Sequence, residues 1–207
     1  MATNVTEGKM KAIVCHGDSL TEGNDLDKND TWPAIVENEL KVGIINSGIS
    51  GDTTGGLLSR FYHDVIRHRP VIVIIMGGTN DLWWDVSINV IQANIFSMAC
   101  QAQHHNIVPV IGLPLPLFIE AAQKQDMLEP AVGYEKCVAK LSELVKSLSA
   151  NAAQADVVCL DFYHSFFNER GTVAGKYFFE DGLHPNKEGH RLMAEKTIQL
   201  LRTKFKF

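Results

Sequence analysis

Val71-Ile72-Val73-Ile74-Ile75-Met76, followed by Gly77-Gly78-Thr79-Asn80-Asp81, decides how this 207-residue chain folds. Six consecutive positions are apolar, where a half-exposed strand would alternate polar and apolar side chains. Such a run reads as a central parallel strand covered on both faces. Pro70 leads into it, and the two glycines end it in a turn. Outward from it the same order repeats: a short apolar run, a turn, then a longer amphipathic segment. Residues 11–16 and 42–46 read as strands upstream, and 107–112 and 157–161 downstream. Helices are expected from near Thr31 to Leu40 (Pro33 in the first turn), from a cap at Asp52 or Thr53 to about His68, and over 86–105, 133–150 and 186–203. In the second of these, Leu57, Leu58, Phe61, Val65 and Ile66 share the inner face. The alternation predicts one α/β domain over residues 1–207, a parallel five-stranded sheet between two helical layers. Residues 1–10 are expected to be a flexible N-terminal segment. The stretches 113–130 and 162–185 show no clear strand.

Bulk properties narrow the function classes. Hydrophobic residues make up 45% and charged residues 21%, the balance of a soluble globular protein. The net charge of −5 and the lack of a Lys/Arg block argue against nucleic acid or an anionic membrane surface as partner. The uncharged stretches 86–103 and 107–119 are too polar or too short to span a bilayer. Residues 1–11 are polar and lack the apolar core of a signal peptide. Cys15, Cys100, Cys137 and Cys159 form no C-x-x-C pair and read as free buried thiols of a reducing cytosol. A cytoplasmic location is expected. No heptads are evident, so no coiled-coil partner is implied, and the oligomeric state is not specified.

Chemistry enters through the turns. Gly17-Asp18-Ser19-Leu20 follows the strand Ala12-Ile13-Val14-Cys15, and on its own it reads as a helix N-cap. In an open α/β sheet, however, the turns after parallel strands share one edge, where ligands bind. Ser19, the turn Gly48-Ile49-Ser50-Gly51-Asp52, and Asn80 would then converge. A serine nucleophile needs a base and a carboxylate to orient that base. Of eight histidines, His63, His68, His104, His105 and His190 fall on expected helices and read as solvated. His16 is given a supporting role at most. Two histidines follow an aspartate by three residues: His164 after Asp161 and His184 after Asp181. That spacing lets the carboxylate reach Nδ1 and leaves Nε2 free for the serine. Asp181–His184 is favoured, because Gly182 permits a tight backbone and Pro185 stiffens the loop. Asp161 is expected to satisfy backbone N–H groups. Oxyanion donors would be the Ser19 and Gly51 N–H groups and the Asn80 amide. Singly these residues are turn or cap residues; together they favour catalysis.

The blocks resemble the SGNH hydrolases, the GDSL-type esterases and lipases. Gly17-Asp18-Ser19-Leu20, Ser50-Gly51-Asp52-Thr53-Thr54, Gly78-Thr79-Asn80-Asp81 and Asp181-Gly182-Leu183-His184-Pro185 match the family's four blocks in order. The resemblance implies a flavodoxin-like α/β/α sandwich and Ser19 as nucleophile. It also implies Asp181 and His184 as the rest of the triad, an oxyanion hole of Ser19, Gly51 and Asn80, and neither metal nor cofactor. Gly51-Asp52-Thr53-Thr54 and the tract from His184 to Gly189 are most similar to the lysophospholipase/thioesterase-like and arylesterase branch. The expected substrate is a small carboxylic ester: short- to medium-chain acyl or aryl, or a lysophospholipid or thioester. Alternatives are an acetyl esterase acting on a sugar or other small molecule, and a non-catalytic anion-binding module. A metal site on Asp181 and His184 lacks further ligands. Trp83, Trp84, Leu117 and Phe118 are candidate pocket walls, and the segment around Met127-Leu128 a candidate lid or subunit contact.

Overall fold

The computed structural model describes residues 12–126 and 128–207. The expectations for residues 1–11, including the flexible segment, and for Met127 lie outside the described residues. In chain order the elements are β1 (Ala12–Gly17), α1 (Ser19–Glu22), α2 (Trp32–Leu40), β2 (Gly43–Gly48), α3 (Thr54–Asp64), β3 (Ile72–Met76), α4 (Thr79–Trp83), α5 (Ile88–His104), β4 (Val108–Leu113), α6 (Ile119–Ala122), α7 (Tyr134–Gln154), β5 (Val158–Asp161) and α8 (Lys187–Phe205). The five strands form one parallel sheet in the order β2-β1-β3-β4-β5.

Every residue of β3 is buried, because alternate side chains enter two different cores. Val73 and Ile75 join Val14, Ile111 and Leu113 under α3, α5 and α7. Ile72, Ile74 and Met76 join Ile13, Cys15 and Val110 under α2 and α8. This is the α/β/α sandwich that the run 71–76 required. Helix starts follow local capping chemistry: the side chains of Asp18, Thr53, Ser87 and Asn186 accept from the first-turn amides of α1, α3, α5 and α8.

The strand order places the site. β1 is first in sequence but has β2 on one side and β3 on the other, so the topological switch point lies beside β1. Gly17 stands opposite Gly48 of β2 and Met76 of β3. The turns carrying Ser19, Gly51 and Asn80 therefore leave three adjacent strands at the same level. Two expectations about thiols need correction. Cys100 is exposed on α5 and Cys159 half-buried on the edge strand β5; Cys15 and Cys137 are buried. No helix among the described residues is long and apolar enough to cross a membrane.

Candidate active site

Ser19 opens α1, directly after the Asp18 cap. The Asp18 carboxylate accepts from the Leu20 N–H at 3.0 Å. Neither the Ser19 nor the Gly51 N–H donates to an acceptor among the described residues. Gly51 has φ +78, a left-handed turn that a side chain would strain. Asn80 donates one amide hydrogen to the Asp52 carbonyl at 2.9 Å. Its contact with Asp18 Oδ2, at 3.5 Å, is too long to hold the second hydrogen firmly. Ser19, Gly51 and Asn80, the residues carrying these three donors, line one cavity.

On the other side, His184 Nε2 lies 3.0 Å from Ser19 Oγ, and His184 Nδ1 lies 2.6 Å from Asp181 Oδ2. Asp181 Oδ1 accepts the Leu183 and His184 amides at 2.9 and 3.0 Å. The carboxylate has only acceptors, so Nδ1 carries the proton and Nε2 is left to accept from Ser19. Burial disfavours charge on both groups, yet their mutual bond outweighs it. With the two amides it holds the Asp181 carboxyl below the usual carboxylate range. Asp181, Asp18 and Asp25 together raise His184 above its ordinary 6.5. Burial pushes the Asp18 carboxyl up to about 7, against the Leu20 bond and the His184 charge.

A cavity of about 340 Å³ opens over these groups, walled by Trp83, Trp84, Leu128 and Leu183 with Thr79 and Asn80. Trp84 and Leu128 are 60% and 66% exposed at its rim. Trp83 Nε1 donates to the Leu128 carbonyl at 3.1 Å, and the Ala131 N–H to the Trp83 carbonyl at 2.8 Å. These bonds hold the described part of the candidate lid against α4.

Leu117 and Phe118 are not pocket walls. Leu117, 4% exposed, belongs to the core beneath α7, and the Phe118 ring packs against Phe178, 6.4 Å between centroids. Their segment buttresses the His184 loop instead: the Phe118 N–H donates to the Gly182 carbonyl at 2.9 Å. Gly182 has φ +66, and a Cβ there would lie 2.2 Å from the Phe118 carbonyl oxygen. Apolarity in the sequence could not distinguish a wall from a buttress.

The second Asp-x-x-His pair folds the same way. Asp161 Oδ1 accepts the His164 amide at 3.0 Å and Oδ2 lies 2.8 Å from Nδ1. It sits exposed at the end of β5, and the nearby Ser165 hydroxyl donates to the Asp161 carbonyl. Asp161 thus satisfies a backbone N–H as expected, and among the described residues no serine hydroxyl is hydrogen-bonded to the His164 ring. His190, expected to be solvated, is 1% exposed. Its Nδ1 accepts the Trp32 N–H at 3.0 Å, across the α2–α8 contact. His16 is buried too, between the Ser47 hydroxyl and the Leu57 carbonyl.

Three supporting residues went unread in the sequence. Asp81, next to Asn80, is buried and accepts the Thr54 N–H at 2.8 Å and hydroxyl at 2.6 Å, tying α4 to α3. Glu22 accepts both the Ser50 N–H and hydroxyl, joining α1 to the Gly51 turn. Arg60 is the third. Asp81 stood in the recognised block and Glu22 one turn past Ser19, so proximity to the motifs was the available signal. Among the described residues no three His, Cys, Asp or Glu side chains converge as a metal site would need.

A hydroxyl, an oriented imidazole and unclaimed donors at a switch-point crevice define an acyl-transfer site. The chain belongs to the GDSL-like Lipase/Acylhydrolase family, whose sequence profile matches residues 15–192, and it is a hydrolase of the esterase/acylhydrolase type. It is 28% identical over 190 residues to an arylesterase of Vibrio mimicus, covering 89% of this chain and 85% of that one. To an acetylxylan esterase of Geobacillus stearothermophilus it is 29% identical over 167 residues, 75% and 70% of the two chains. Its fold is similar to the solved structure of a protein assigned to the G-D-S-L lipolytic family from Desulfitobacterium hafniense. The TM-score is 0.79 at 26% identity, over 92% of this chain and 99% of that one.

Proposed function

We propose that the chain hydrolyses short-chain acyl and aryl carboxylic esters through an acyl-enzyme on Ser19. The observation that carries this reading is the continuous hydrogen-bond chain Asp181–His184–Ser19, with separations of 2.6 and 3.0 Å. His184 Nε2 takes the Ser19 proton as Oγ attacks the ester carbonyl. The carbonyl oxygen becomes an oxyanion, accepting from the Ser19 and Gly51 N–H groups and from Asn80. His184 then gives its proton to the leaving alkoxide, and the acyl group stays on Ser19. Water enters and attacks the acyl carbonyl as His184 removes its proton; the second oxyanion collapses, the bond to Ser19 Oγ breaks, and His184 returns the proton to Oγ, releasing the acid. Asp181 stays ionised throughout and stabilises the imidazolium.

Size and lining favour a small acyl or aryl group. A volume of about 340 Å³ is at the small end for ligand pockets, and two tryptophans and three leucines form its apolar wall. Similarity to an arylesterase supports the same class. Similarity to an acetylxylan esterase favours a second reading, an acetyl group on a carbohydrate. The test is kcat/KM on p-nitrophenyl acetate, butyrate and octanoate, acetylated xylo-oligosaccharide and an acyl-CoA thioester, with Ser19→Ala as control. The proposal expects the highest value on p-nitrophenyl acetate or butyrate and none in Ser19→Ala. A maximum on octanoate or on the thioester overturns the short-ester assignment, and one on the xylo-oligosaccharide selects the acetyl esterase.

A further inference from the structure

Arg60, on α3, lies outside the cavity yet bonds to the strand end that leads to Ser19 and to the turn that carries Gly51, and Asn80 in turn bonds to the Asp52 carbonyl of that turn. Its side chain is only 16% exposed. Nε donates to Asp52 Oδ2 at 2.7 Å. Nη1 donates to the Ser47 carbonyl at 3.0 Å, the Ser47 hydroxyl at 2.8 Å and Asp64 Oδ2 at 2.7 Å. Nη2 donates to the Gly17 carbonyl at 2.9 Å. Gly17 is the last residue of β1, two before Ser19. Ser47 is the last residue but one of β2, four before Gly51. Asp52 follows Gly51, and its own carbonyl accepts from Asn80.

We propose that Arg60 is the positioning residue of the oxyanion hole: one planar guanidinium ties the Gly17 and Ser47 carbonyls to the Asp52 carboxylate, setting the turns that carry Ser19 and Gly51 and, through the Asp52 carbonyl, Asn80. This rests on the hydrolase reading of Ser19. Two physical arguments carry it. The guanidinium is a rigid fork whose donors have fixed directions, so bonds to three segments fix their relative positions. It also balances the Asp52 carboxylate, which stands close enough to bear electrostatically on the buried Asp18 and Asp81. Without Arg60 that charge would oppose an oxyanion forming at Ser19. Lysine at this position keeps a charge but supplies no fork.

The test uses Arg60→Lys and Arg60→Ala, each shown to be folded by circular dichroism and a cooperative melt. On p-nitrophenyl acetate kcat should fall about 10- to 100-fold, the cost of misplacing a catalytic group by roughly 1 Å, while KM changes about twofold or less. A boronic acid that forms a tetrahedral adduct on Ser19 should bind more weakly by a similar factor. Millimolar guanidinium should restore part of kcat in Arg60→Ala, which a generally loosened fold would not show. A folded variant with kcat and boronate affinity within about twofold of the parent overturns the proposal. If neither variant folds, Asp52→Ser decides: it cuts the link between Arg60 and the Gly51 turn while leaving the Gly17 and Ser47 bonds in place. The same kcat loss at unchanged KM supports the proposal, and a parental kcat overturns it. A dead Ser19→Ala beside an unaffected Arg60 variant would remove the positioning role alone. Activity in Ser19→Ala would remove the hydrolase reading beneath it.

Discussion

Asn80 does two things with one amide. One hydrogen is committed to the Asp52 carbonyl and orients the side chain; the other is held only by a long contact to Asp18. A donor fixed in direction but not consumed stabilises an oxyanion without reorganising. Asn80→Ala should therefore lower kcat about 10²- to 10³-fold on p-nitrophenyl acetate, measured at saturation in a folded variant; an unchanged kcat would remove Asn80 from the mechanism. His184 must be neutral to act as base. Asp181, Asp18 and Asp25 outweigh burial and raise its pKa, so the acid limb of kcat/KM should have its midpoint above 6.5. Asp25→Asn removes one of those charges and should move that midpoint to lower pH; a pH titration of activity in both proteins reads the shift. At this scale Ser19, Gly51, Asn80, Asp181 and His184 were legible because each stands in a short block with distinctive spacing. His190 was not. Its partner, the Trp32 amide, is 158 residues away in sequence, and nothing local to His190 marks a buried ring.

Elements hold these residues through their ends. Asn186 caps α8 two residues after His184: its Oδ1 accepts the Gly189 N–H at 3.1 Å, and its Nδ2 donates to the Lys176 and Phe178 carbonyls at 2.8 and 3.0 Å. Asn186→Ala loses the cap and leaves two carbonyls short of a donor, a loss of about 2 kcal/mol in urea unfolding. Asn186→Asp keeps the cap acceptor but turns an oxygen toward both carbonyls. It should therefore also be destabilised, whereas parental stability would mean the cap alone matters. β3 was legible from six apolar letters because it is buried on both faces. β2 was read as 42–46 but runs Gly43–Gly48, since Ser47 and Gly48 carry no apolar signal. They are pairing residues at the functional edge, where small and polar groups serve the site. Helix α7 was expected to end at 150 and continues to Gln154, with Ala152 buried; an alanine among polar residues gives a weak period. Leu117 and Phe118 show the converse limit: an apolar run announces burial but not which element it supports.

Across the whole molecule, buried histidines set the response to acid. Burial pushes His16 and His190 down to about 4, with the His184 charge adding to the effect on His190. Between pH 6.5 and 4 the unfolded chain takes up protons on these rings and the folded chain does not, so their contribution to stability is lost as pH falls through that window. Asp18, raised to about 7, acts in the opposite direction over pH 7 to 4. His190→Gln should therefore lose less stability than the parent between pH 6.5 and 4.5, by about 2 kcal/mol, read from urea unfolding at both pH values. An equal loss would contradict the buried neutral ring. The fold itself followed from the order of strands and helices, since a parallel sheet built from consecutive βα units has few arrangements. Strand order β2-β1-β3 then placed three turns side by side, which is why separate sequence blocks could be read as one site.

The central claim is that Ser19 is the nucleophile activated by His184. A fluorophosphonate probe tests it most directly, because it phosphonylates a serine only where a base and an oxyanion hole activate it. The protein should take up one probe per chain, mapped by peptide mass spectrometry to Ser19, with labelling slowed in His184→Ala and absent in Ser19→Ala. A folded protein that does not label, or that labels equally in Ser19→Ala, would contradict the account.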